Sequence, residues 1–187
     1  MNAPSTASAS LSRQLTWWVL LFPAALVAAL VLRSLYLLNW VHVLSGVLWT
    51  GADLFMGFIV GPVLRALDAP ARTAVIRYLV PRTLLYFPIV ALTAGMAGWH
   101  LAQWLGFTRP ENPLYLWAMV SLGLVLLMTV VGFAFLLPNN LRIWWQFQKP
   151  APDIELVVRL NRYNIWLSGA QGVMQLAMIL IMAHFIF

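Results

Sequence analysis

The chain has 187 residues, of which 63% are hydrophobic and only 9% charged. No water-soluble domain of that length buries so much apolar side chain, so the composition points to an all-α, polytopic membrane bundle. A net charge of +6 does not indicate nucleic acid, because the basic residues sit between apolar runs, as membrane topology requires. Cysteine is absent, which excludes disulfides and thiolate metal sites.

Residues 1–15, rich in Ser and Ala, read as a disordered tail. Residues 16–187 read as a single bundle, a four-helix core plus one N-terminal helix. A spanning helix needs roughly 20 mainly apolar residues. Five runs qualify or come close: Thr16–Leu32, Leu37–Leu64, Arg82–Gly106, Pro113–Pro138 and Arg162–Phe187. The first is the shortest, and no small-residue cleavage site follows Ala29, so it is read as a retained helix rather than a signal peptide. Between the second and third runs, Asp68-Ala69-Pro70 has the form of an N-cap and early proline opening a short surface helix. Pro152-Asp153 opens another helical stretch that runs on into the last span.

With the N-terminus inside, Arg13, Arg65, Arg72, Arg77, Arg82, Arg142, Lys149, Arg159 and Arg162 all fall on the inner side. Only Arg33 and Arg109 fall outside. This asymmetry predicts an N-in, C-out protein of the bacterial inner membrane. Small residues four apart (Gly57/Gly61, Ala91/Gly95, Ala94/Gly98, Ser168/Gly172) predict close helix contacts.

On this topology His42, His100 and His184 all approach the outer face, from three different spans, and His42 and His100 share the same depth. An imidazole inside a membrane is costly and turns to a bundle interior or a cofactor. It is also a frequent ligand of haem iron and of copper. The alternative for each is a hydrogen bond to a backbone carbonyl. Asp53 lies eleven residues past His42, about 16 Å deeper on nearly the same helix face. Its level is shared by Thr93, Thr129 and Gln171. The last span offers a polar seam of Asn164, Ser168, Gln171 and Gln175, which Asp53 is expected to meet. Such a meeting reads as a proton path, as support for a cofactor site, or as a clasp between two helices. Met96 and the stripe Met174, Met178 and Met182 are thioethers of the type that select copper(I), although methionine stripes are more often packing. No phosphate-binding glycine loop, nucleophile elbow or inverted repeat is present.

The stretches "WVHVLSGVLWTG", "FLLPNNLRI" and "RLNRYNIWLSGAQGVMQLAMILIMAHF" resemble the membrane domain of PuuD-type urate oxidases. That group is related to the small haem- or copper-associated HemJ and CopD membrane proteins. The resemblance covers roughly Asn39 to Phe187 and matches His42, Trp49, Asn139, Asn164, Ser168 and His184. Thr50 and Gly169 depart from the pattern, and no Cys-x-x-Cys-His of a fused cytochrome c occurs. The resemblance implies an oxidoreductase-type, electron-transferring protein with haem b near the outer face. On their shared depth His42 and His100 would be the axial ligands, with His184 as a substitute or second-site ligand and, by the resemblance, Trp49 beside the cofactor. A periplasmic cytochrome c or similar redox partner is implied, and an oligomer is compatible with it. The alternatives are a CopD-like copper-handling protein using the same histidines, and a non-redox structural or assembly subunit.

Overall fold

The computed structural model describes residues 14–185; the first thirteen residues of the expected tail and the last two of the final span lie outside them. Five helices follow one another: α1 (Trp17–Val31), α2 (Leu35–Ala66), α3 (Ala69–Trp104), α4 (Tyr115–Gln146) and α5 (Ile154–Ala183). No strand occurs among the described residues. Helices α2 to α5 are each long and apolar enough to cross a membrane, which is the architecture of a multi-pass membrane protein. The shorter α1 opens as a four-residue 3-10 turn and continues as eleven residues of α-helix. It buries Val19, Leu26 and Ala29 against α2 and α3.

The up-and-down course gathers Arg65, Arg72, Arg77, Arg82, Arg142, Arg159 and Arg162 near one end of the bundle, here the basic end. His42, His100 and His184 lie toward the other, the histidine end.

Local chemistry explains the corners between α1 and α2, between α2 and α3, and between α4 and α5. After α1, Arg33 adopts φ 49°, and the Ser34 N–H reaches back to the Ala29 carbonyl at 3.0 Å. The Ser34 side chain then caps α2, accepting from the Leu37 N–H at 3.2 Å. At the far end of α2, Arg72 donates to the carbonyls of Leu64 (2.7 Å) and Leu67 (2.8 Å), which have no helical partner there. Asp68 caps α3 by accepting from the Ala71 N–H at 2.8 Å. Asp153 caps α5 through the Leu156 N–H at 2.9 Å.

Two boundaries differ from the sequence reading. The stretch after Asp68 is not a separate surface helix; it is the first part of α3, which runs 36 residues through Pro81 and Pro88. A proline inside a helix removes one hydrogen bond without ending the helix when packing holds both flanks, and Pro81 is buried. Similarly, α4 does not stop at Pro138 but continues to Gln146. A π-turn at Gly132–Leu136 widens the backbone just ahead of Pro138. The matching π-turn Met56–Val60 precedes Pro62 in α2. In both cases the carbonyl four residues before the proline, on Ala134 or Phe58, lies in the widened turn, where the ring has room.

Glycines set the closest crossing, between α2 and α5. A Cβ on Gly57 would stand 2.5 Å from the Gly169 Cα, one on Gly61 2.6 Å from Ile165, and one on Gly172 2.8 Å from Leu54. Gly98 instead makes room for the His42 ring, 2.8 Å from its own would-be Cβ, and Gly95 is not tight. Replacing Gly57 by Ala is therefore expected to destabilise the bundle by about 1–3 kcal/mol through overpacking. Gly123→Ala, where a Cβ meets nothing within 4 Å, should be neutral or better. Thermal unfolding in detergent checks the pair, and an equal response of the two variants would contradict the crossing.

Candidate functional site

Asp53 is 1% exposed, in the middle of α2 and one turn from the glycine crossing. Its Oδ2 accepts a hydrogen bond from Gln175 Nε2 of α5 at 3.0 Å. The Ser168 hydroxyl and Trp49 indole also stand beside the carboxyl. Its Oδ1 nevertheless has no hydrogen-bond partner, nor has Gln175 Oε1. Ser121 Oγ on α4, also buried, is the third such atom among the described residues.

The polar side of α5 extends from this pair toward the basic end. Gln175, Gln171, Ser168, Asn164 and Asn161 are all buried and follow the three-or-four-residue spacing of one helix face. Gln171 donates to the Met128 carbonyl at 3.0 Å. Asn139 donates to Asn164 at 3.1 Å, and Asn164 donates in turn to Asn140 at 2.7 Å. The other two polar residues expected at this level are bonded to their own helices: Thr93 donates to Ile89 (2.7 Å) and Thr129 to Val125 (2.8 Å). Thus Asp53 meets the α5 seam at Gln175, while Thr93 and Thr129 turn to their own backbones.

Alongside the seam runs a crevice of about 50 Å³ between α3 and α4. Asn140, Asn161, Asn164, Ser168 and Gln171 form its polar floor. Leu84, Phe87, Phe133 and Leu136 are among its apolar walls. Residues of both π-turns, Met56 and Gly132, also line it. Pro88, which has no N–H, leaves the Leu84 carbonyl without its helical donor, and both residues are on the wall. One water needs roughly 10–15 Å³, so the space can accept a few molecules, and the floor offers them hydrogen-bond partners. From Asn161 to Gln171 the floor spans about 15 Å. Toward the histidine end, Trp49, Val90, Ala94, Met128 and Met178 pack as an apolar cluster beyond the carboxyl.

The three histidines are not brought together. His42 Nδ1 donates to the Ala94 carbonyl at 2.9 Å, which leaves Nε2 as the free lone pair. Its ring lies over Gly98. His100 follows Gly98 by two residues, about 200° around α3, so the two imidazoles lie on opposite sides of that helix. His184 is exposed, donates to the Leu180 carbonyl at 3.3 Å and stacks on Trp117 with centroids 4.2 Å apart. Among the described residues no three His, Asp or Glu side chains form a metal-binding group. Met178 is buried in the apolar cluster while Met96 is half exposed. No family model, curated protein or solved structure matches the chain.

A haem or copper site must therefore be judged on these side chains alone. His42 fits a single axial ligand: its second nitrogen is fixed by a carbonyl, the usual support of a ligating histidine. The glycine one turn deeper, Gly46, has nothing within 4 Å of a would-be Cβ. A haem held jointly by His42 and His100 does not fit this packing.

Several polar residues of the interior lacked a strong sequence signal. Tyr86 donates to the Leu48 carbonyl at 3.0 Å and ties α3 to α2. Asn140 and Asn161 enter the crevice, and the doublet Asn139-Asn140 after a proline was the available hint for the first. Because the chain has no cysteine, accessibility can be read without background. A membrane-impermeant thiol reagent added at the basic end should modify Asn161→Cys and Ser168→Cys but not Met178→Cys. Protection of all three would show that the crevice is dry.

Proposed function

We infer that the chain is a multi-pass protein of the bacterial inner membrane that handles protons. The basic end faces the cytoplasm by the positive-inside rule. The crevice admits water from that side, and Asp53 is the group that takes up the proton. The observation that carries this reading is a fully buried carboxyl with an unpartnered oxygen, whose neighbours Ser168 and Trp49 also line a polar-floored crevice. Ionisable side chains in such positions mark proton relays in membrane proteins. The apolar cluster around Trp49 and Met178 lies between the carboxyl and the histidine side and would close the path there. Its opening is what would couple a proton to a partner reaction or a second solute.

A second reading has its own observation. The resemblance to haem-associated membrane domains and the free Nε2 of His42 favour a redox protein with haem b, or copper, bound at His42. The bound group would supply one-electron exchange with a periplasmic carrier. His42 would ligate, while Ala94 fixes its tautomer and Gly98 gives the ring room.

Proton uptake from the basic side of proteoliposomes, read with a pH-sensitive dye in that compartment, tests the leading reading. A step from alkaline to neutral pH there should load onto the wild-type chain a proton that Asp53→Asn does not take, and Ser168→Leu should slow that uptake. Uptake equal in wild type and Asp53→Asn, or a rate unchanged by Ser168→Leu, would contradict it. The absorption spectrum of protein made with ample haem tests the second reading. A Soret band lost in His42→Ala and kept in His100→Ala supports it, whereas a clean preparation with no Soret band and no bound iron or copper removes it.

A further inference from the structure

Of the buried polar atoms without a partner, two belong to one hydrogen-bonded pair. Asp53 and Gln175 share the Nε2–H···Oδ2 bond, and the opposite arm of each group, Oδ1 and Oε1, is left with an acceptor and no donor. Both residues are at least 97% buried, at 1% and 3% exposure. An unsatisfied buried polar atom costs on the order of 1–3 kcal/mol, so two on one pair need a cause. The Ser168 hydroxyl or the Trp49 indole can donate to Oδ1. Neither relieves Gln175 Oε1.

We propose that the missing partner is a proton: Asp53 is held as the neutral acid in a two-armed pair with Gln175, and the α2–α5 contact closes when that proton is bound and loosens when it leaves. A carboxylic acid and a primary amide are complementary along their edges. The amide N–H donates to one oxygen of the acid, and the O–H of the acid donates to the amide oxygen. A proton on Oδ1 completes that pattern and satisfies both orphaned atoms at once. The exchange balances simply: hydronium in the crevice gives its proton to the carboxylate, leaving water and the acid, and the reverse step returns it. Once ionised, Asp53 faces Gln175 Oε1 with two acceptors opposed. The carboxylate then turns to the hydroxyl and indole donors of Ser168 and Trp49, which belong to the crevice wall. The proton thus governs which way the carboxyl points. The closeness of the Gly57–Gly169 crossing next to it passes that change to the packing of two whole helices.

The groups recorded beside the carboxyl introduce no competing charge. From α5 these are Gln175 and Ser168, and from α2 itself Trp49. From α3 the titratable neighbour is Tyr86, whose hydroxyl is already spent on the Leu48 carbonyl. This inference rests on the proton-path reading for the route of the proton, but not for the proton's presence.

Infrared difference spectroscopy of the protein in lipid nanodiscs tests it. At neutral pH the wild type should show the carbonyl band of an un-ionised carboxylic acid that is missing from Asp53→Asn. Gln175→Leu, which removes the amide but leaves the acid, should shift that band to the position of a free acid. As the pH rises until the band disappears, thermal stability should fall in the wild type. It should stay flat in Asp53→Asn, whose amide keeps the two-armed pair without a titrating proton. The absence of any acid band distinguishing wild type from Asp53→Asn would overturn the proposal, as would a band unmoved in Gln175→Leu. If the band is present but its exchange into heavy water is unchanged by Ser168→Leu, the crevice as a route fails while the proton-closed pair stands.

Discussion

A carboxyl group placed at the middle of a membrane-spanning helix is the condition to which the rest of this bundle answers. An ionisable group in hydrocarbon must be neutral, paired or wet, and each solution needs neighbours at the right depth. Here they come from one helix. The α5 face from Asn161 to Gln175 carries amides and a hydroxyl at helical spacing. The glycine crossing of α2 and α5 brings that face within a hydrogen bond of Asp53. Without the glycines the Gln175 amide could not reach the carboxyl. Without the seam the carboxyl would keep only the Trp49 indole of its own helix.

The crevice follows from a second constraint, the prolines. Pro62 and Pro138 each require a widened turn before them, and Pro88 breaks the ladder of α3. All three disturbances border the same space, through Met56, Gly132, Phe133 and Pro88. Backbone irregularity inside a membrane is tolerated where it lines a cavity, and here it lies opposite the polar face of α5. Toward the histidine end the helices regain regular packing, and the interior becomes apolar around Trp49, Val90 and Met178. The polar lining therefore stops short of the histidine end.

The helical membrane architecture was legible because long apolar runs and capping residues such as Asp68 and Asp153 are strong local signals. The continuity of α3 and α4 was not, because a proline reads as a stop when the neighbours that hold its flanks are unseen. The meeting of Asp53 with the α5 seam followed from depth counting along antiparallel helices. The same counting placed Thr93 and Thr129 at that level but could not show that a threonine hydroxyl in a helix prefers the carbonyl one turn back. Equal depth also put His42 and His100 side by side in projection. Their separation depends on rotation about α3, which Gly98 fixes by receiving the His42 ring. Tyr86 and Ser121 carried no spacing signal at all.

The account depends most directly on Asp53 and Gln175 acting as one unit. A double-mutant cycle with Asp53→Ala, Gln175→Ala and the combined variant, read by unfolding in lipid, measures that coupling. The account requires the two losses to be non-additive, with an interaction energy at or above the roughly 0.6 kcal/mol average of intramembrane hydrogen bonds. Additive losses would mean that the carboxyl and the amide only happen to lie side by side, and that the interior of the bundle is organised by packing alone.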